Sequence, residues 1–279
     1  TRPDVVGAKL AAELSILQDA LPPFSQKKAI AAVETDLGIK IKDFFADFTP
    51  PIAAASLAQV HKAKVISTGQ IVAVKVLRPG IEKAFLRDID AFYFIARLIE
   101  ILSPASRRLK PVEVIKYFEG IVRAEIDLRM ESAAAAEFFS NTQHDKDFKV
   151  PQVVWNFCSK RIMTTEWVDG IPLGDVPALK KKGVNLTELA KLIIQSFLCH
   201  ALRDGFFHAD MHQGNIFIDN NGQIVPIDFG IMGRLDKLSQ RFLAEILFGF
   251  IQRDYKKVAE VHLSAGLVPK EVQVNDLAQ

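Results

Sequence analysis

The feature that most limits what this chain can fold into is a set of polar residues at fixed spacing. It reads His208-Ala209-Asp210-Met211-His212-Gln213-Gly214-Asn215, with Asp228-Phe229-Gly230 beginning thirteen residues after Asn215. Between them, the apolar stretches 216–218 and 223–227 flank Asn220-Asn221-Gly222, a signal for two short strands and a tight turn. Such a hairpin brings Asn215 and Asp228 back to its open end. Phosphoryl transfer needs a carboxylate beside the attacking group and oxygen ligands for Mg²⁺ across the phosphates. Asp210 is therefore the candidate base or orienter. Asn215 and Asp228 are the candidate ligands of Mg²⁺, which prefers hard oxygen donors. His208 and His212 are four apart and could hold zinc on a helix. Gly214 and the following strand argue for a loop instead, with His208 holding it through hydrogen bonds.

A second signal lies upstream. Ala58–Val65 and Ile71–Val76 are strand-like stretches on either side of Ser67-Thr68-Gly69. Alternation sends Val74 and Val76 to one face and Lys75 to the other. Lys75 needs a carboxylate partner, and the helical segment Glu125-Ile126-Asp127-Leu128-Arg129-Met130-Glu131 offers candidates. Glu125 lies almost two turns from Glu131, so one contact point cannot serve both. Ahead of the first strand stands Ala53-Ala54-Ala55-Ser56. Alanine favours helix, so one reading is a helix start. The other is a nucleotide loop in which alanine stands where glycine would wrap phosphates, at the cost of the φ > 0 conformations that glycine allows.

The remaining segments give the order. Val5–Leu21 has apolar residues at the spacing of one helix face and is stopped by Pro22-Pro23. Ser25 caps a helix to about Leu37. Helices are expected over 81–101, 112–139, 185–203, 238–252 and 255–264, and a strand pair over 149–155 and 161–166. Hydrophobic residues make up 49% of 279, enough for a sizeable core. With 35 basic and 33 acidic residues there is no basic excess of the kind nucleic-acid binding needs, so no nucleic-acid partner is expected. Cys158 and Cys199 are far apart and read as reduced thiols. No apolar run approaches the ~20 residues that span a bilayer. The opening Thr1-Arg2-Pro3-Asp4 reads as the middle of a longer protein, and the fragment itself is expected to be soluble.

Taken together these residues resemble the UbiB-type atypical kinases, relatives of the mitochondrial coenzyme Q kinases. The resemblance covers nearly the whole chain. It rests on the alanine loop with Gln59-Val60-His61, the Val-Ala-Val-Lys75 strand, the Glu125-x-Asp127 segment ending at Glu131, and the His-x-Asp210…Asn215 and Asp228-Phe-Gly pair. Thr164-Thr165-Glu166-Trp167-Val168-Asp169-Gly170 is similar to the family's interlobe hinge. Ordinary protein kinases have neither the alanine loop nor the Glu-x-Asp segment.

The resemblance implies an α+β, two-lobed protein-kinase-like fold with family-specific helical insertions in the N-terminal lobe. The parts would be an N-terminal helical extension (1–50), an N-lobe (51–168) and a helical C-lobe (169–279). It implies ATP and Mg²⁺ as cofactors, bound between the lobes. Asp210, Lys75 and Glu131 would be catalytic, with Glu131 pairing Lys75. Ala53, Ala54, Ala55, Ser56, Lys75, Glu166 and Val168 would meet the nucleotide, and Asn215 and Asp228 the metal. Glu125 and Asp127 would form a family-specific polar cluster. The implied partners are ubiquinone-biosynthesis proteins or lipid intermediates. The full-length protein is expected at the cytoplasmic face of the bacterial inner membrane, anchored by segments outside this chain.

Two other readings stay open: a small-molecule kinase of the aminoglycoside or choline type, and a non-catalytic pseudokinase scaffold. A true protein kinase is disfavoured because no Ala-Pro-Glu follows Asp228-Phe229-Gly230.

Overall fold

The computed structural model describes residues 22–55, 57–269 and 272–274. The helix expected over 5–21 and the nucleotide contact expected of Ser56 lie outside them. The chain divides into two compact units. One contains the residues up to Ala136 together with Pro151–Val168, and the other contains Glu137–Val150 together with the residues from Asp169 onward.

The first unit is built on a five-stranded antiparallel sheet. Its strands are β1 (Phe45–Ala46), β2 (Ala53–Ala54), β3 (Ala58–Val65), β4 (Ile71–Leu77) and β5 (Ile162–Glu166). They pair in the order β1-β3-β4-β5, with β2 also on β3. Alternation along β4 puts Val72, Val74 and Val76 on one face, all fully buried. Helix α1 (Gln26–Leu37) covers that face with Ala29 and Val33, and Phe24, Phe45, Phe157 and Ile162 complete the core. Ser25 caps α1, its side chain accepting from the Lys28 N–H, and Gly38 ends it in the left-handed conformation. A short α2 (Ile41–Phe44) leads into β1. Asp36, near the end of α1, binds Arg161 Nε at 2.7 Å and so ties the helix to the entry of β5.

After β4 come α3 (Ile81–Leu102), a 3₁₀ turn (Pro104–Leu109), α4 (Pro111–Glu125) and α5 (Leu128–Thr142). The single helix expected over 112–139 is thus two helices. The interruption has one local and one distant cause. The Asp127 carboxylate accepts from the Arg129 N–H at 3.1 Å, capping a new helix start, and the Leu128 N–H turns to Lys160 O at 2.9 Å. The strand expected over 149–155 is also absent. Pro151 has no N–H to give a ladder, and Val153 makes only an isolated bridge to Thr165.

In the second unit, β6 (Gly170–Pro172), β8 (Ile216–Asp219) and β9 (Ile224–Pro226) pair in the order β6-β8-β9. A separate ribbon joins β7 (Phe206–His208) to β10 (Met232–Arg234). Around them are α6 (Val176–Lys181), α7 (Leu186–Cys199) running into a π-helical turn (His200–Asp204), α8 (Lys237–Gln252) and α9 (Tyr255–Ser264). Asn185, Asp236 and Asp254 cap α7, α8 and α9 through their side chains. An aromatic cluster forms the centre, with Phe138 in edge contact with Phe148, His200, Phe206 and Phe229.

Candidate active site

In the second unit, the ribbon β7–β10 and the hairpin β8–β9 carry the residues singled out in the sequence. Met232 pairs with His208, and Ala209 N–H donates to Ile231 O at 3.0 Å. The β8–β9 register Ile216↔Pro226 continues one step outward, where Ile227 N–H donates to Asn215 O at 3.0 Å. Asp228 therefore stands one residue beyond the strand end that carries Asn215.

His208 joins the two segments. Its ring is buried; Nε2 lies 2.5 Å from the Asp228 carbonyl oxygen, and Nδ1 accepts from the Asp210 N–H at 3.1 Å. A neutral ring protonated on Nε2 satisfies both bonds. Burial pushes the His208 pKa down and so favours that neutral form. Asn215 Nδ2 donates to Asp210 O at 3.2 Å and to Asp210 Oδ2 at 3.3 Å, which leaves its Oδ1 as the acceptor-only end of the amide. The Asp228 carboxylate accepts from Gly230 N–H at 3.0 Å. Phe229 is buried against Phe138 and His208, with ring centroids 6.4 and 6.1 Å away. Asp210, Asn215 and Asp228 are thus held in one cluster by main-chain and side-chain bonds. His212 Nε2 is 3.7 Å from Asp210 Oδ2, and its Nδ1 accepts from Gly214 N–H.

In the first unit, Lys75 lies on the sheet face opposite the valines, with Val60 and Met163 as its cross-strand neighbours. Its Nζ donates to both carboxylate oxygens of Glu131, at 2.7 and 2.9 Å. Glu131 is in the first turn of α5, so the break at Asp127 sets where it points. Asp127 is engaged by Arg129, whose Nε is 2.9 Å from Oδ1. Hydrogen bonds from the Arg129 side chain lead the effects that hold the Asp127 carboxyl below its usual range. Glu125 is the exposed last residue of α4.

Ala53 and Ala54 form β2, paired with Val60 and Gln59, and Ala55 N–H donates to Ala58 O at 2.8 Å. This is one arm of a hairpin, which overturns the helix-start reading. None of the three alanines has positive φ. Glu166 ends β5 opposite Val72, Trp167 N–H donates to Ile71 O at 3.1 Å, and Val168 follows. Lys62 Nζ sits 4.4 Å over the Trp167 ring.

The role of Gln59-Val60-His61 was not legible beforehand. Gln59 accepts from Phe24 N–H at 3.0 Å and donates to Phe24 O at 3.2 Å. His61 Nε2 meets Gln59 Nε2 at 2.8 Å, and its Nδ1 meets Thr49 O at the same distance. An Nδ1–H tautomer satisfies both contacts. The available signal was Gln-x-His within an apolar strand, which alternation places on one buried face. Phe138, which backs Phe229, was missed as well.

A lysine–glutamate pair on a five-stranded sheet, and an Asp–Asn–Asp cluster around a buried histidine, together define a kinase-like phosphotransferase domain. The comparisons with known proteins say the same. A model of the ABC1 atypical kinase-like domain matches residues 16–262, and the chain belongs to that family. Probable protein kinase UbiB of Marinobacter nauticus is 42% identical across 99% of this chain and 51% of its own length. Proteins of the same name from Pseudomonas putida and Azotobacter vinelandii are 39% and 40% identical, again over 99% of this chain and 52% of theirs. The chain therefore spans about half the length of the curated relatives it matches. Among solved structures, Rv3197 of Mycobacterium tuberculosis, in its complex with erythromycin, is similar at a TM-score of 0.68 and 27% identity, over 98% of this chain and 67% of that one.

Proposed function

We propose that this chain is the nucleotide-binding core of an atypical kinase or ATPase that supports ubiquinone biosynthesis, acting on the biosynthetic proteins or their lipid intermediates. The observation that carries the chemistry is His208, which fixes the main chain of Asp210 and of Asp228 at once while Asn215 is bonded to Asp210. The names of the UbiB relatives suggest the pathway.

The residues fit ATP with Mg²⁺. Asn215 Oδ1 and the Asp228 carboxylate are hard oxygen donors of the kind Mg²⁺ takes. When bound, Mg²⁺ would neutralise charge on phosphate oxygens. Lys75, oriented by both oxygens of Glu131, would bind phosphate as a point charge. The backbone of Glu166 and Val168 would meet the adenine, and the hairpin arm Ala53–Ala55 would border the phosphates. Asp210 would orient the attacking hydroxyl or water and receive its proton.

Titration calorimetry of the chain with nucleotide, with and without Mg²⁺, tests this reading. Asp228→Asn should abolish the Mg²⁺-dependent binding. An unchanged Mg-nucleotide affinity in that variant would overturn the assignment.

A further inference from the structure

The second histidine of the catalytic loop, His212, is held by the loop's own main chain yet lies at the surface. Two hydrogen bonds fold the loop around it: the His212 N–H donates to Asp210 O and the Asn215 N–H to His212 O, both at 2.9 Å. The ring is then clamped by Gly214, whose N–H donates to Nδ1 at 3.0 Å. A Cβ at position 214 would lie 2.9 Å from the ring's Cε1 and 3.1 Å from Nδ1, so glycine is what lets the ring close onto the loop. A ring nitrogen that accepts carries no hydrogen, so the neutral imidazole has its hydrogen on Nε2.

That Nε2–H stands beside Asp210. Nε2 lies 3.7 Å from Asp210 Oδ2, beyond hydrogen-bond reach, and the two side chains are 57 and 40% exposed. The same Oδ2 receives Asn215 Nδ2 at 3.3 Å, so the carboxylate is held in place without the His212 ring. A donor and an acceptor therefore stand side by side at the exposed edge of the cluster, too far apart to satisfy each other. An oxygen seated against both would give its hydrogen to the carboxylate and take one from Nε2–H. A hydroxyl group or a water molecule has the hydrogen and the two lone pairs that this requires. One lone pair takes the His212 hydrogen, and the other is left for phosphorus.

We propose that His212 is a catalytic residue of this loop, its Nε2–H binding the acceptor oxygen whose proton Asp210 receives. The proposal rests on the phosphotransfer reading. In the transfer step the acceptor oxygen bonds to the γ-phosphorus of ATP while the bond from that phosphorus to the bridging oxygen breaks. The electron pair of the broken bond leaves with ADP, and the O–H proton passes to the Asp210 carboxylate. His212 keeps its hydrogen throughout and acts by fixing where the oxygen sits.

Two substitutions separate this role from mere support of the loop. In His212→Asn the side-chain oxygen can still accept from the Gly214 N–H, two residues on, but no donor stands where Nε2 was. In His212→Gln an amide N–H reaches the Nε2 position, while the acceptor at Nδ1 is lost. MgATP hydrolysis, with water as the acceptor, is measured beside Mg-nucleotide affinity and thermal melting. His212→Asn should lower kcat at least about tenfold, with affinity and melting temperature unchanged, and His212→Gln should keep more turnover than His212→Asn. The reverse order, parental turnover in His212→Asn, or a loss of affinity or melting temperature that accounts for the lost turnover would overturn the proposal. So would MgATP left intact by a parent that binds it. Nitrogen-15 NMR of the histidine-labelled parent, with the His212 signals assigned by difference from His212→Asn, should show the neutral ring protonated on Nε2, and protonation on Nδ1 would count against it equally. A parent that binds no Mg-nucleotide sinks the phosphotransfer reading and this proposal with it, an outcome distinct from a parent whose turnover is indifferent to the His212 side chain.

Discussion

At the scale of single residues, the Lys75–Glu131 pair allows the sharpest test. Both oxygens of Glu131 receive Nζ within 2.9 Å, and the two side chains are only 22 and 9% exposed. Removing one partner from a buried pair leaves an uncompensated charge, at a cost of roughly 3–5 kcal/mol when burial is complete. Here the lysine keeps some solvent, so the effect should fall below that range. Lys75→Ala and Glu131→Ala should each impair nucleotide turnover, and the double variant should lose less than the sum. Strict additivity in the cycle would mean that the pair does not act as a unit.

At the scale of elements, the alanine hairpin invites the next experiment. Ala55 donates to Ala58 O where β2 gives way to the turn, and its backbone is unstrained. Glycine at that point would free the turn while costing up to about 1 kcal/mol in strand order. Ala55→Gly is expected to strengthen ATP binding relative to ADP. Equal loss of both affinities with a lower melting temperature would rule out a phosphate-bordering role.

Much of the element order was legible from local rules. The β3–β4 hairpin followed from alternation around a glycine turn, and the start of α1 from its Ser25 cap. The break between α4 and α5 was not legible, because apolar spacing runs straight through Glu125-Ile126-Asp127-Leu128. What interrupts it is Lys160 O, thirty-two residues after Leu128, whose N–H it takes. The strands β1, β2, β6, β7 and β10 are two or three residues long, too short for any period to show. Within the candidate site, Lys75, Asp210, Asn215 and Asp228 were legible because their spacing is dictated by chemistry. Phe138 was not, because packing partners leave no fixed spacing in the sequence.

At the scale of the whole molecule, the buried histidines set an acid limit. His61, in the first unit, bridges Gln59 and Thr49. His200, in the second, lies 3.0 Å from Asp145 Oδ2, which also receives Arg203. Burial pushes both pKa values below the ordinary value, and for His200 it outweighs the opposing pull of Asp145. Groups with depressed folded pKa values give stability that is fully present above their unfolded value, about 6.5. It is lost as the pH falls through the folded values. Thermal melts across this window should therefore show a melting temperature that declines as the pH drops below about 6.5. The parent should decline more steeply than His61→Gln/His200→Gln, and parallel profiles would show that neither ring is held neutral by its surroundings.

The contact between Gln59 and Phe24 bears on where this protein can be cut. Both polar ends of the Gln59 amide are occupied by the main chain of a residue thirty-five positions earlier, and the side chain is 1% exposed. A truncated protein beginning at Ile41 would keep every strand of the sheet yet lose both Phe24 hydrogen bonds of that amide and uncover the valine face beneath α1. A net intramolecular hydrogen bond contributes about 0.5–1.5 kcal/mol, and exposure of the valines that Ala29 and Val33 cover adds the larger loss. Such a truncation should melt well below the parent or collapse without a cooperative transition, and a melting curve like the parent's would show that the tether is dispensable. The leading segment from Phe24 through α1 is best regarded as an inseparable part of the scaffold, so any expression library or chimera should carry its junction ahead of Phe24.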